Sequence, residues 1–218
     1  MNCIEKIIEG AIENSFKILT ELKKTGVSKE TKLIIPDYQN SQRKASDSDE
    51  KIRVSEQELR FIFIEQLNNT LPEGFHYSIE TPTKCPYKFS DKGKDCEPVR
   101  NEGQSGNFDL TIQNEKKQVV AIVEFKSKSA APHSYAKDLC KLWNSDEGLG
   151  HDTLRYFINV FETMTKRTRN RFVQKINKND WFRKRAGDVD VTIVCKSLTD
   201  NQEEFEFYGK DKDLKTIL

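Results

Sequence analysis

Hydrophobic residues at the start of the chain recur at intervals of three and four positions, with glutamate and lysine between them. The residues at this spacing are Ile4, Ile7, Ile8, Ala11, Ile12, Ser15, Leu19 and Leu22. Such a spacing collects them on one side of a helix, so the pattern predicts an amphipathic helix over residues 4–22. Gly26 is placed to end this helix.

Residues 36–53 are almost entirely polar and offer little to bury, which predicts a mobile linker. Ser55 and Glu58 then form the sequence pattern of a capping box, so a second helix is predicted from Glu56 to about Leu71. We therefore expect an N-terminal amphipathic helix in residues 1–26, a flexible linker in residues 27–54 and the main domain in residues 55–218.

The middle of the chain alternates between apolar and polar side chains, as strands do. Strands are predicted over residues 75–81, 107–113 and 118–126, and a long loop over residues 82–105. The third of these strands is apolar on both faces until Glu124, as a central strand would be.

The remainder of the chain alternates helices with strands. A third helix is predicted after Pro132, a strand at residues 155–163, a basic helix at residues 166–184 and a strand at residues 190–197 that pairs with residues 204–208. The full order is α, α, β, β, β, α, β, α, β, β. It predicts an α/β fold with a mixed central sheet flanked by helices.

Composition and charge limit the class of protein. The longest apolar run, residues 119–123, has five residues, whereas a membrane helix needs about twenty. No membrane contact is expected, and the acidic N-terminus favours a cytoplasmic location. The net charge is only +1, but the segment from Lys166 to Arg185 holds nine basic residues and one acid. That local excess suits a surface that faces phosphates.

The candidate chemistry lies on the two central strands. Side chains alternate across a strand, so Glu124 and Lys126 project from the same face. If the strand of Asp109 lies beside theirs, opposing Cβ atoms are about 5 Å apart, and both carboxylates can hold one hard cation. The competing interpretation is a surface salt bridge. A glutamate that ends an apolar run favours the metal site, because an inward carboxylate needs a partner.

These residues resemble the signature of the PD-(D/E)XK nucleases, whose shared core carries an acid on its second strand and Glu-x-Lys on its third. The match consists of Asp109, then Glu124-Phe125-Lys126, then a helix containing residues 137–142, and it spans about residues 55–163. Phe108 stands where the motif has its nominal proline, which is not a ligand. The resemblance implies a restriction-endonuclease-like fold with an extra N-terminal helix.

The resemblance also implies a nuclease that hydrolyses phosphodiester bonds with Mg²⁺ or Mn²⁺, most naturally in duplex DNA. A restriction, repair or defence role is compatible with it. Asp109, Glu124 and the Phe125 carbonyl would bind the metal, while Lys126 would assist the attacking water.

Members of this family often add a glutamate from the first core helix, and Glu58 is the candidate here. Glu58 is also the third residue of the capping box. Glu65, seven residues later on the same helix face, therefore stays open as the inward acid instead.

Basic residues near these strands are candidates for contact with the nucleic acid. They are Lys128, His133, Lys137, Arg167, Arg169 and Arg171. The last three lie on the basic helix, which could equally be an ordinary solvated helix with Phe172, Val173 and Ile176 pointing inward. The near-absence of acids favours contact with a duplex backbone.

Two other classes of protein compete with the nuclease. One is a catalytically inactive nucleic-acid-binding module that keeps the nuclease fold. The other is a protein-interaction module whose N-terminal helix docks on a partner protein or on a second copy of the chain. Both would lack cleavage activity.

Overall fold

A computed structural model describes residues 3–35, 54–89, 96–98, 104–128, 130–177, 189–199, 205–209 and 215–217. In these ranges the α-helices are α1 (Cys3–Thr25), α2 (Glu56–Thr70), α3 (Pro132–Trp143) and α4 (Lys166–Asn177), and Ser145–Glu147 form a short 3-10 helix. The strands are β1 (His76–Phe89), β2 (Cys96–Pro98), β3 (Gln104–Gln113), β4 (Val119–Ser127), β5 (Leu154–Phe161), β6 (Val191–Ser197), β7 (Phe205–Gly209) and β8 (Lys215–Ile217).

The chain divides into two compact units. The first consists of Met1–Leu71 with Leu198–Asp200, and the second consists of Pro72–Ser197 with Asn201–Leu218. The first therefore holds α1 and α2, and the second holds α3, α4 and every described strand. The division falls after Leu71, whereas the sequence placed a boundary near residue 55, and the limits of the domains stay a prediction.

In the first unit, α1 packs against α2. The predicted amphipathic pattern is confirmed, because Ile4, Ile8 and Leu19 are among the buried residues of α1. Gly26 adopts φ +77° and its N–H donates to the Leu22 carbonyl at 2.8 Å, so it ends the helix in the left-handed conformation that glycine adopts without strain. The predicted linker core, residues 36–53, lies outside the described residues.

The capping box at the start of α2 is also confirmed. The Gln57 N–H donates to Ser55 Oγ at 3.3 Å, and the Ser55 N–H donates to Glu58 Oε2 at 2.7 Å. The cap satisfies backbone donors that have no partner within the helix itself.

The second unit is built on a mixed sheet with strand order β2-β1-β3-β4-β5-β6-β7-β8. Strands β4, β5 and β6 are parallel neighbours, and the pairs on either side of them are antiparallel. The predicted mixed α/β architecture is confirmed, including the pairing of β6 with β7. The short strand β8 had no counterpart in the prediction.

Helices α3 and α4 connect the parallel strands. Successive crossovers in one direction of the sheet place their helices on the same face, because such connections share one hand. Contact between α3 and α4 agrees with this arrangement. The core on this face includes Tyr135, which meets Phe172 edge-on at a centroid distance of 5.2 Å. Both α3 and α4 therefore cover the face of the sheet where this core lies.

The predicted loop at residues 82–105 is wrong in its described part. Strand β1 continues to Phe89, β2 follows, and β3 begins at Gln104. Prolines break most strands, but the β1–β3 register shifts between Pro82 and Pro86, and a bulge of this kind accommodates proline.

A buried carboxylate holds this continuation of β1 in place. Glu147 accepts a hydrogen bond from the Lys84 N–H at 2.7 Å and another from the Tyr87 hydroxyl, which also accepts from Asn144 Nδ2 at 2.9 Å. Arg155 lies beside them with 2% exposure and donates to the Leu142 carbonyl. Burial lowers the pKa of Arg155, and the charge of Glu147 opposes that shift.

Candidate metal centre

The centre begins where β3 and β4 stop pairing. The last paired residues are Leu110 and Val123, and Asp109 and Glu124 are the next residues on their strands. The side chain of Asp109 turns back onto β4, where its Oδ2 accepts the Phe125 N–H at 2.8 Å. A carboxylate thus takes the place of a backbone acceptor at this point, which keeps Asp109 beside β4.

Glu124 is completely buried, with 0% exposure. Its Oε1 lies 2.6 Å from Lys141 Nζ of α3. Its Oε2 has no hydrogen-bond partner among the residues that the structure describes. Burial raises the pKa of Glu124 well above its ordinary value; the charge of Lys141 opposes the shift, and the charges of Asp138 and Asp109 reinforce it. A cation beside Glu124 would offset the cost of its buried negative charge.

Lys126 lies two residues further along β4, and its Nζ is 2.7 Å from Asp138 Oδ2. Since Glu124 and Lys126 both contact α3, they project from the same face of the sheet, as the sequence predicted. The side chain of Lys126 is 15% exposed, whereas that of Glu124 is 1% exposed. Lys126 is thus the charged group of this strand that reaches solvent.

Lys141 is the most enclosed cation of the centre. Besides Glu124, its Nζ contacts the Asn107 carbonyl at 2.6 Å and Asp138 Oδ1 at 3.4 Å. Burial would lower the pKa of Lys141, but the charges of Glu124 and Asp138 outweigh burial and raise it. Lys141 therefore remains an ammonium group.

Asp138 and Lys141 were not among the predicted site residues. Asp138 and Lys141 are 5% and 3% exposed and lie among the buried residues of α3. One available signal was Gly106, since a glycine within a strand marks a close approach. A Cβ at Gly106 would lie 3.3 Å from Lys141 Cδ.

The cluster holds three carboxylates, from Asp109, Glu124 and Asp138, and two ammonium groups, from Lys126 and Lys141. Burial raises the pKa of Asp109, the Phe125 N–H opposes the shift, and the charge of Asp138 adds to it. With every group ionised the cluster carries an excess of one negative charge.

The described residues contain no group of three or more His, Cys, Asp or Glu side chains arranged to hold a metal ion. The donors that remain are the two carboxylates of Asp109 and Glu124, with the Phe125 carbonyl directly after Glu124 in sequence. Mg²⁺ is commonly held by one or two protein carboxylates and keeps several waters. Glu124 Oε2, which has no hydrogen-bond partner in the described part of the chain, fits such an ion.

The helix carboxylates lie in the first unit. Glu58 is engaged in the capping box, and Glu65 Oε2 accepts the Thr31 hydroxyl at 2.5 Å. The assignment of either residue as a metal ligand stays a prediction.

The candidate residues for nucleic-acid contact are distributed over two segments. Lys128 adopts φ +63° and lies 3.2 Å from Glu162 Oε1, and Lys137 is exposed on α3. His133 is in the first turn of α3, and its side chain lies outside the described part. Since α3 and α4 follow parallel strands, both helices begin at the same edge of the sheet.

Helix α4 has a buried apolar face, as expected both for a helix that contacts nucleic acid and for an ordinary solvated helix. Phe172 and Ile176 are buried, while Arg167 and Arg171 are exposed and Arg169 is half-buried. Contact of these arginines with nucleic acid stays a prediction.

Comparisons with protein-family models, curated proteins and solved structures find no significant match to this chain. In the described ranges, no helix combines the length and the apolar character needed to cross a membrane.

Proposed function

We propose that this chain is a nuclease that hydrolyses phosphodiester bonds in duplex DNA with Mg²⁺ or Mn²⁺. One observation carries the proposal: Glu124 presents a fully buried carboxylate oxygen that has no hydrogen-bond partner among the described residues, next to Asp109 and two residues before Lys126. The order of an acid on β3, Glu-x-Lys on β4 and a following helix supports a PD-(D/E)XK-like, restriction-endonuclease-like core.

Asp109, Glu124 and the Phe125 carbonyl would hold the metal. When bound, such an ion supplies a Lewis acid for the phosphate and lowers the pKa of water toward neutrality. Asp109 already restrains the backbone of β4 at Phe125, so the donors are positioned before any ligand arrives. Preorganisation of this kind reduces the reorganisation needed during the reaction.

Lys126 would act on the phosphate or on the attacking water. Its partner Asp138 lies 2.7 Å from Nζ, which fixes the direction of the ammonium. Once a phosphodiester is bound, Nζ can donate to a phosphate oxygen on which negative charge develops. Asp138 is therefore a positioning residue for Lys126.

The basic residues that follow β4 and β5 in the chain would contact the DNA backbone. Arg167 and Arg171 are exposed on α4, which begins at the same edge of the sheet as α3. Such contacts give affinity without reading base sequence.

The catalytically inactive module also has support from one observation. Glu124 and Asp138 each lie within 2.7 Å of a lysine ammonium, so the cluster is partly balanced without a metal. A purely structural cluster would bind no divalent ion and would tolerate loss of Lys126 without effect on any reaction.

Cleavage assays on the full-length chain separate these possibilities. Plasmid, single-stranded DNA and RNA are incubated with Mg²⁺, Mn²⁺ or chelator, using the wild type, Asp109→Asn and Glu124→Gln. Asp152→Asn is the matched control, because Asp152 is exposed on a turn. We expect metal-dependent cleavage of duplex DNA by the wild type and the control only. The absence of any cleavage by the wild type, or full activity in both site variants, would overturn the proposal.

A further inference from the structure

The ammonium of Lys141 is surrounded by oxygen atoms from three elements. They are Glu124 Oε1 of β4 at 2.6 Å, the Asn107 carbonyl of β3 at 2.6 Å and Asp138 Oδ1 of α3 at 3.4 Å. The side chain is 3% exposed, so these oxygens replace most of the water around the charge. Oxygen donors converging from separate elements form the kind of environment that a bound cation requires.

One of these oxygens belongs to a proposed metal ligand. Glu124 cannot give its full charge to a divalent ion while Oε1 remains paired with Lys141 Nζ at 2.6 Å. Two cations close to one buried carboxylate also repel each other strongly, because the interior screens charge weakly. Contact of Glu124 with Lys141 and contact of Glu124 with a metal therefore oppose each other.

We propose that Lys141 is the resident cation of the metal centre: it neutralises Glu124 in the metal-free protein and yields that carboxylate when a divalent ion binds. The inference rests on the metal-dependent function proposed above. Lys141 then acts as a positioning residue that sets the affinity for the metal. After release it keeps two partners, the Asn107 carbonyl and Asp138, so the ammonium is not left unpaired.

The packing around Lys141 supports a defined position for its side chain. Lys141 Nζ lies 5.8 Å from the centroid of the Phe108 ring, and a Cβ at Gly106 would come within 3.3 Å of Lys141 Cδ. The aliphatic stem thus runs close to the backbone of β3, where a side chain larger than that of glycine would make a tight contact with it. The ammonium is directed toward Glu124 by this packing as well as by charge.

Thermodynamic linkage between the Lys141 ammonium and the metal predicts how a Lys141 variant changes metal affinity. If the ammonium and the metal compete for Glu124, removal of the ammonium strengthens metal binding. We expect Lys141→Met to lower the Kd for Mn²⁺ by about tenfold or more, a scale at the lower end for breaking one close charge pair. A lysine that assisted metal binding would give the opposite result.

The test is calorimetric titration of the full chain with Mn²⁺, together with thermal melts with and without Mn²⁺. Lys116→Met is the matched control, since Lys116 is exposed on the turn between β3 and β4. Lys141→Gln provides a second variant, and Glu124→Gln with Lys141→Met removes both partners. We expect tighter binding and greater Mn²⁺ stabilisation in both single Lys141 variants, no change in the control, and loss of binding in the double variant.

Each outcome decides the inference. Equal or weaker Mn²⁺ binding in the Lys141 variants would overturn it, while binding by the wild type would leave the proposed metal site intact. No binding by the wild type or by any variant would overturn both proposals. Binding by a Lys141 variant but not by the wild type would support the inference, as would a variant that folds only with Mn²⁺. A variant that stays unfolded even with Mn²⁺ would contradict it, because the metal should replace the missing charge.

Discussion

Glu147 is expected to be one of the most costly side chains to remove from the second unit. Its carboxylate accepts the Lys84 N–H at 2.7 Å and the Tyr87 hydroxyl, and it lies 3.4 Å from the Cys85 nitrogen. Glu147→Ala leaves at least two donors without an acceptor in a site where Glu147 itself is 5% exposed. Each buried unsatisfied group costs about 1–3 kcal/mol, so we expect a loss of about 4 kcal/mol.

A loss of that size is a large share of the total stability of about 5–15 kcal/mol typical of a domain. The loss of the negative charge next to buried Arg155 adds to the effect, because Glu147 stabilises the guanidinium. Urea denaturation followed by circular dichroism measures the change. Asp146→Ala is the matched control, since Asp146 is the exposed neighbour of Glu147 and should change stability by less than about 0.5 kcal/mol. A loss below about 1 kcal/mol in Glu147→Ala would refute this account of the network.

Three further predictions concern the site and the basic helix. In Lys126→Ala, the Mn²⁺ affinity measured by calorimetry should be unchanged, while turnover should fall by about 100-fold, the loss typical of removing one transition-state hydrogen-bond donor. Near-normal turnover would mean that Lys126 only forms a structural ion pair. Because burial raises the pKa of Glu124, the folded chain holds this proton more tightly than the unfolded chain, so metal-free stability should fall as pH rises from the ordinary glutamate range toward the raised pKa. Above the raised pKa, the ionised Glu124 is the partner of Lys141. Thermal melts over this pH range should show a smaller decrease in stability with pH for Glu124→Gln than for the wild type. An equal decrease in both proteins would contradict the raised pKa of Glu124. Replacing Arg167, Arg169 and Arg171 by glutamine should reduce the slope of log duplex affinity against log salt concentration by about two units, because each phosphate contact contributes about 0.9 and two of the three arginines are exposed. Fluorescence anisotropy over a salt series measures this slope. An unchanged slope would mean that these arginines face solvent and do not contact the duplex.

Strand periodicity was sufficient to predict that Glu124 and Lys126 share a face. The same alternation, with a short turn, placed Asp109 on the neighbouring strand, and the structure confirms that neighbourhood. These features depend on residues close in sequence, and the short β3–β4 connection leaves few registers. Local sequence patterns were therefore sufficient to predict how Asp109, Glu124 and Lys126 are placed relative to one another.

Other features depend on contacts between distant residues. The continuation of β1 past Pro82 requires Glu147, which lies about sixty positions along the chain and could not be matched to β1 from sequence. Similarly, Asp138 and Lys141 resemble the surface charges of an amphipathic helix until β4 supplies their buried partners. Helical periodicity identifies the apolar residues of one face, and it predicts that charged residues are exposed to solvent even where they form buried ion pairs.

The hydrogen bond from the Phe125 amide to Asp109 makes one backbone N–H depend on a side chain. Amides in a regular sheet exchange with solvent deuterium when the ladder opens, so their protection reports on the stability of the strands. The Phe125 amide should report instead on where the Asp109 carboxylate points. A cation that draws this carboxylate away from β4 would change the protection of that single amide while its neighbours stay protected. Deuterium exchange resolved by NMR would thus follow occupancy of the centre without any substrate.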